Sequence, residues 1–330
     1  MRTRSLTFLF LVPTVLFAGA TAWAAPAASS VPLAFRLPAP AFDGLLGMSS
    51  LPAQAVSGST GVSRLSLRLY GGYAYLGAKD VNAGALEYFG LMELYEASVS
   101  GTMTGGYKPL HGGLDLGGDL IYQITPRFGV GVGMGYVDAS RDSLATLTDG
   151  ELSVEVTEAV SLKAMPIRLG VFFDFPVAAK LSLTADAGGD WYTGLKLRAA
   201  NRLTQSDGSY MDFSFTGARN GFAGNIGFQG DLGLEYKLSP KLGLFVEAAG
   251  RYARLKTFDD ALEAVAWSGG ESDSMTGTLY VVTETASEMG TFTMFYVSPA
   301  SPTPKPDETF RVPKIDFSGV SLRFGIRVRI

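Results

Sequence analysis

The chain has 330 residues, a formal net charge of -4, 47% hydrophobic and 18% charged residues, and no cysteine. The missing cysteines exclude disulfides and thiolate metal sites, and so small a charge points to no polyanionic partner, so nucleic acid is not expected. Mean hydropathy is +0.19, yet no stretch beyond the N-terminus approaches the roughly 18 consecutive apolar residues of a spanning helix, which rules out a helical membrane protein.

Arg2 and Arg4 precede an apolar run from Leu6 to Ala20, and Ala22-Trp23-Ala24 stands before Ala25-Pro26. A basic start, a short apolar stretch and an A-x-A site predict a cleaved signal peptide over 1–24, hence export. The run is shorter than a membrane-spanning helix needs, and no lipobox cysteine follows it. Residues 25–62 are rich in Ala, Pro and Ser, as in Pro26-Ala-Ala-Ser-Ser30 and Pro38-Ala-Pro40, and read as a periplasmic linker. An apolar exported chain with 41 Gly, 21 Phe and 14 Tyr has the composition of a transmembrane barrel, here assigned to 63–330.

From Leu65 the hydrophobic period is two. Leu65–Tyr75 sets Leu65, Leu67, Leu69, Tyr73 and Tyr75 against Ser66, Arg68, Gly72 and Ala74. Seven further segments alternate in the same way, over 114–124, 128–136, 165–173, 181–191, 226–236, 242–252 and 320–330. Each has about the length of a tilted strand crossing hydrocarbon, with one face for lipid and the other for a polar lumen. Short connections at Thr125-Pro126-Arg127, 176–180 and Ser239-Pro240-Lys241 alternate with long ones at 77–112, 138–160, 198–221 and 256–316. The fold expected is all-β, an eight-stranded antiparallel transmembrane β-barrel with long extracellular loops and both termini periplasmic. Unpaired backbone groups cannot face lipid, so the strands must close into a ring.

The alternation also assigns a lumen. Asp115, Asp119, Asp186, Asp190, Asp231, Glu235 and Glu247 point inward, as do Arg68, Arg168, Arg251, Arg323, Arg327 and Arg329. Charges inside so narrow a ring are expected to pair across it as a plug, or else to line a narrow path for small or amphipathic solutes. The fourth segment contains Pro166, which cannot donate to the ladder, so a bulge or register shift is expected there.

In the first long connection, Asn82 is placed to cap a short helix with Leu86, Phe89 and Met92 on one face. In the last, 278–284 and 291–297 form a hairpin with apolar residues on both faces, expected above the membrane; if it entered the wall the ring would have ten strands.

With eight such segments the chain resembles the small outer-membrane barrels, such as the transmembrane domain of OmpA and OmpX. The resemblance covers about 65–330 and rests on architecture. The final strand, Leu322–Ile330, resembles the signal read by the outer-membrane assembly machinery, though it ends in Ile330 where the family usually has Phe. No peptidoglycan-binding domain follows, so a tethering role is not implied. What the resemblance implies is a monomer in a bacterial outer membrane, surrounded by its lipid and lipopolysaccharide.

Catalysis finds little support. The one histidine, His111, sits at the outer rim, where lipid-A-modifying barrel enzymes place catalytic groups. His-Gly-Gly brings no serine or carboxylate with it, although Asp138 and Ser140 are candidate spatial neighbours. No catalytic, cofactor-binding or metal-ligating residue is assigned. The Gly129–Gly135 run is a strand pattern rather than a phosphate cradle. The expected role is non-enzymatic, structural or surface-interacting through the outer loops.

Overall fold

The computed structural model describes residues 64–330 other than 87–88, 91, 94–95, 97–100, 151, 220–224 and 287–289. The expected signal peptide (1–24) and linker (25–62) lie outside the described residues.

In chain order the elements are β1 (Leu65–Leu76), α1 (Lys79–Ala85), β2 (Thr102–Gly106), β3 (Gly112–Thr125), β4 (Phe128–Asp149), β5 (Leu152–Pro176), β6 (Leu181–Gln205), β7 (Tyr210–Arg219) and β8 (Ile226–Lys237). There follow β9 (Leu242–Tyr252), β10 (Arg254–Leu255), β11 (Ala261–Trp267), β12 (Ser272–Ala286), β13 (Gly290–Ser298), β14 (Glu308–Arg311), β15 (Ile315–Asp316) and β16 (Gly319–Arg329).

Eight strands close a ring of antiparallel neighbours in the order β1, β3, β4, β5, β6, β8, β9, β16 and back to β1. They contain the eight alternating segments. Paired residues can be followed once round the ring from Ser66 through Ile121, Gly131, Gly170, Gly188, Gln229, Arg251 and Gly319. The path returns to β1 at Leu76, ten residues above its start. A stagger of this kind tilts the strands, and a ring of eight leaves an interior that side chains fill. At one end the connections are tight. Thr125 Oγ1 accepts from the amides of Arg127 (3.3 Å) and Phe128 (3.0 Å), and Ser239 Oγ from those of Lys241 (3.3 Å) and Leu242 (3.1 Å).

The other end departs from expectation. Three of the four long connections are largely strand rather than loop: β4 and β5 run on until they nearly meet across residue 151, and β6 and β7 form a second tall hairpin. β6 pairs with β8 over 181–191 and with β7 over 195–204, so it leaves the ring and continues into a taller sheet. That sheet carries β11, β12 and β13 on one side, while β2 pairs with the upper part of β4. The hairpin expected above the ring is β12 and β13, and it lies outside the eight closing strands.

One local expectation is corrected, and the register shift expected around Pro166 is found beside it, between Lys163 and Met165. Asn82 does not cap the helix but lies within it; the capping position is Ala78, at φ 42 with no side-chain hydrogen bond. The Asn82 carboxamide instead accepts from Tyr107 Oη (2.9 Å) and the Leu110 amide (2.7 Å) and donates to the Leu110 carbonyl (3.1 Å), tying α1 to the segment entering β3. Pro166 does not displace β5 from β4, whose register is the same on both sides of it. The shift lies against β6, where Gly194, at φ +57, adds a residue to the facing strand between Thr193 and Lys196. Glycine meets no penalty at that angle.

Candidate functional site: the barrel interior

The inward positions form two layers. In the ring they are charged, and above it they become apolar at a common level: Arg68 gives way to Ala74 and Leu76, Arg168 to Ala164 and Leu162, Asp190 to Tyr192 and Leu195, and Arg251 to Ala253 and Leu255. From the other direction Arg323 is preceded by Phe317 and Ile315. These apolar residues pack with Val81 and Ala85 of α1 and with Phe215, Phe295 and Val297 of the tall sheet into one core. Gly84 has no room for a Cβ because the Phe295 ring lies against it.

Below this core the inward-assigned charges meet. Arg68 faces Asp119 at 4.0 Å, Asp186 at 3.1 Å and Glu247 in direct contact. Arg168 reaches Asp190 and Asp231, each at 3.3 Å, and stands 3.7 and 3.9 Å from Asp186 and Asp119. Arg323 bridges Asp115 (2.8 Å) and Asp231 (3.0 Å) and stands 3.6 Å from Glu247, while Arg251 holds Asp115 at 2.9 Å. These ten residues form one network. Glu235, Arg327 and Arg329 form a second, nearer the tight turns: Arg327 donates to Glu235 (3.2 Å), and Arg329 contacts Glu235.

The charge network assigned from the alternation omits further inward residues of the ring, among them Asp174, which the alternation sets on the inner face. Asp174 joins the lower network through Arg327 at 2.9 Å and through the Gln123 amide at 3.1 Å. Tyr70, Phe172 and Phe245 also point inward: the Arg323 guanidinium lies 4.5 Å from the Tyr70 ring centre, and that of Arg68 lies 4.4 Å from Phe245 and 5.8 Å from Phe172. Such stacking offsets part of the desolvation of a buried arginine. Parity alone could have found these rings, since each lies an even number of residues from an assigned charge on its strand. The inward glycines of β4 are filled from across the sheet, with Asp119 against Gly133 and Phe172 against Gly131.

In the upper layer two carboxyls are buried with little compensation. Neither oxygen of Glu158 on β5 has a hydrogen-bond partner, and burial pushes its carboxyl up to about 8. Glu263 on β11 is pushed to about 7 by burial, although its Oε2 accepts from the Val297 amide at 3.1 Å. His111 stacks on Tyr75 at 5.0 Å, with Nδ1 3.2 Å from the Leu76 carbonyl. Asp138 is instead bonded by Tyr136 Oη and Lys163 Nζ, each at 2.9 Å, so no base–orienter pair is formed with His111.

No protein-family model matches the chain, and no curated protein matches it. Among solved structures it is similar to a major outer membrane protein from Thermus thermophilus, at 10% identity over 81% of this chain and 99% of that one, with a TM-score of 0.31. It is also similar to the outer membrane protein OprG from Pseudomonas aeruginosa, at 10% identity over 80% and 94% of the two chains, with a TM-score of 0.26. Likenesses of that size add no argument to the geometry.

Proposed function

We propose that this chain is a non-enzymatic bacterial outer-membrane barrel of eight transmembrane strands, with a side-chain-filled lumen and a β-rich cap that meets the surroundings. The observation that carries the reading is the inversion between the two faces of one ring. Outside it, large apolar side chains are exposed on every strand of the ring, whereas inside it twelve of the thirteen assigned charges are buried. Only hydrocarbon makes that outer face favourable. Exposed aromatics edge the band at both ends, with Tyr73, Tyr75, Phe228 and Tyr252 toward the cap and Tyr122, Phe175 and Tyr236 toward the tight turns. Leu65, the partner of Tyr122, lies eight residues below Tyr73. Eight residues span about 26 Å along a strand, or roughly 20 Å along the axis at a tilt near 40°, close to the height of a membrane band.

In this reading the tight turns and the termini are periplasmic, and the cap is extracellular. Residues 1–24 direct export and are removed, and Leu322–Ile330 serves as the address for the assembly machinery. The likeness to the OmpA transmembrane domain and OmpX is architectural, resting on the ring of eight. The barrel acts as a monomer amid outer-membrane lipid and lipopolysaccharide, without a cofactor. Its role is structural or surface-interacting.

Planar-bilayer recording tests the plug. The stacked ionic and apolar layers predict no steady unitary current from the reconstituted chain, and reproducible channel openings would replace the plug by a narrow solute path.

A further inference from the structure

A basic patch stands where the lipid-facing wall gives way to the cap. Lys163 of β5 and Lys196 of β6 are paired directly across the sheet, and Arg198, two residues further along β6, lies opposite Ser161. All three point outward, since the alternate residues Leu162, Leu195 and Leu197 are buried in the core. Like charges at directly opposed positions of adjacent strands repel. Asp138 faces Lys163 from β4 and bonds it at 2.9 Å, which compensates one of the three. Lys196 and Arg198 are exposed and form no ion pair among the described residues. The next outward carboxylate on β4 is Asp142, opposite Ala159 and so beyond the patch on the cap side.

A separate feature of the wall leads to the same place. On the lipid-facing side of β1, β3, β4 and β5 an apolar groove of about 610 Å³ is lined by Leu69, Leu116, Met134, Tyr136, Met165 and Ile167. Its depth comes from Gly118, which faces outward between Leu69 and Met134 while the outward positions before and after it on β3 carry Leu116 and Leu120. Tyr136 and Met165 form its end toward the cap. Lys163 is the next outward residue after Met165, about 7 Å along the strand. Tyr136 Oη donates to Asp138 at 2.9 Å, which joins the rim of the groove to the patch.

We infer that this face binds a phosphorylated, acylated lipid of the outer leaflet, with its phosphate at Lys163, Lys196 and Arg198 and an acyl chain in the groove below. Ammonium and guanidinium groups at a membrane surface attract anionic headgroups, and the planar fork of an arginine matches phosphate oxygens. The groove offers aliphatic and thioether groups, and the unbranched side chains of Met134 and Met165 adapt to a flexible chain. A free phosphate would leave the groove unused, and a neutral lipid would leave the patch uncompensated. The inference deepens the proposed function and rests on its placing the cap outside the cell: the lipid anchor of lipopolysaccharide becomes a ligand with a defined seat rather than surroundings alone.

The purified chain, stripped of lipid in a nonionic detergent, is titrated with the phosphorylated lipid anchor of lipopolysaccharide and with the same anchor freed of its phosphates, and bound lipid is read by native mass spectrometry. Gel mobility before and after heating checks that each sample is a folded barrel. The expected result is a single bound anchor per chain, with affinity about thirtyfold lower for the phosphate-free anchor and for the double variant Lys196→Gln, Arg198→Gln. The double variant Lys180→Gln, Lys241→Gln, altered at exposed positions by the tight turns, should bind as the unaltered chain does. Should the patch variant fail to fold, the two anchors compared on the unaltered chain still decide. Equal affinity for both anchors, or undiminished binding by a folded patch variant, would overturn the seat. Displacement of the anchor by an equal concentration of inorganic phosphate would overturn it too, leaving a free-phosphate site. Any of these in a heat-modifiable barrel refutes the seat alone, whereas a chain without heat-modifiable mobility refutes the barrel itself.

Discussion

At the scale of single residues, burial sets the sign of each charge's contribution. An arginine inside the ring is favourable only while its carboxylates remain, because removing one partner leaves a desolvated ion rather than a lost surface contact. Glu158 shows the uncompensated case. Its carboxyl titrates higher in the folded chain than the usual glutamate value, so the folded state holds the proton more tightly. The contribution is therefore greatest near pH 4 and is lost as pH rises toward about 8, with Glu263 adding a similar loss by about 7. Hydrogen exchange of the upper β4–β6 amides, corrected for intrinsic rate, should show less protection at pH 9 than at pH 5. Glu158→Gln should remove most of that difference, and unchanged pH dependence in the variant would contradict the assignment. Parity in the sequence locates Arg68 and Asp119 correctly on the inner face. It says nothing of Asp174 bonding Arg327, or of Asp119 lacking hydrogen bonds, because those depend on heights fixed by the stagger of the ring.

Among the elements, the short turns were legible because proline and hydroxyl side chains mark them: Thr125 and Ser239 do in space what their positions imply. The tall strands were not. Strand reading stopped where outward residues turned polar, at Asp138, Lys163 and Lys196, since a lipid-facing pattern ends there. The period of two in fact continues with its sense reversed, apolar inside and polar outside, as in Val154, Val156, Val160 and Leu162 of β5. A change of solvent from lipid to water produces that reversal within a single strand. The join between the two regimes on β6 is the Gly194 bulge, whose positive φ makes glycine the fitting residue. Gly194→Val should destabilise the chain by about 1–2 kcal/mol, read as a lower denaturant midpoint in micelles. A midpoint unchanged within error would show that the bulge relaxes without cost.

For the whole molecule, ring closure links the chain's two ends: β16 pairs with both β1 and β9, so the last residues seal the wall begun at Leu65. Closure was readable from the even number of segments and from the need to satisfy backbone groups in lipid. The cap was not, because its core gathers Val81, Val160, Phe215 and Phe295 from four separate connections whose meeting no local pattern records. The account depends most on the outer face of the ring meeting hydrocarbon. Gel mobility of the chain before and after heating in detergent tests this most directly. The prediction is faster migration unheated than heated, together with precipitation when detergent is withdrawn. A chain that stays soluble and monomeric without detergent, with one mobility throughout, would contradict it.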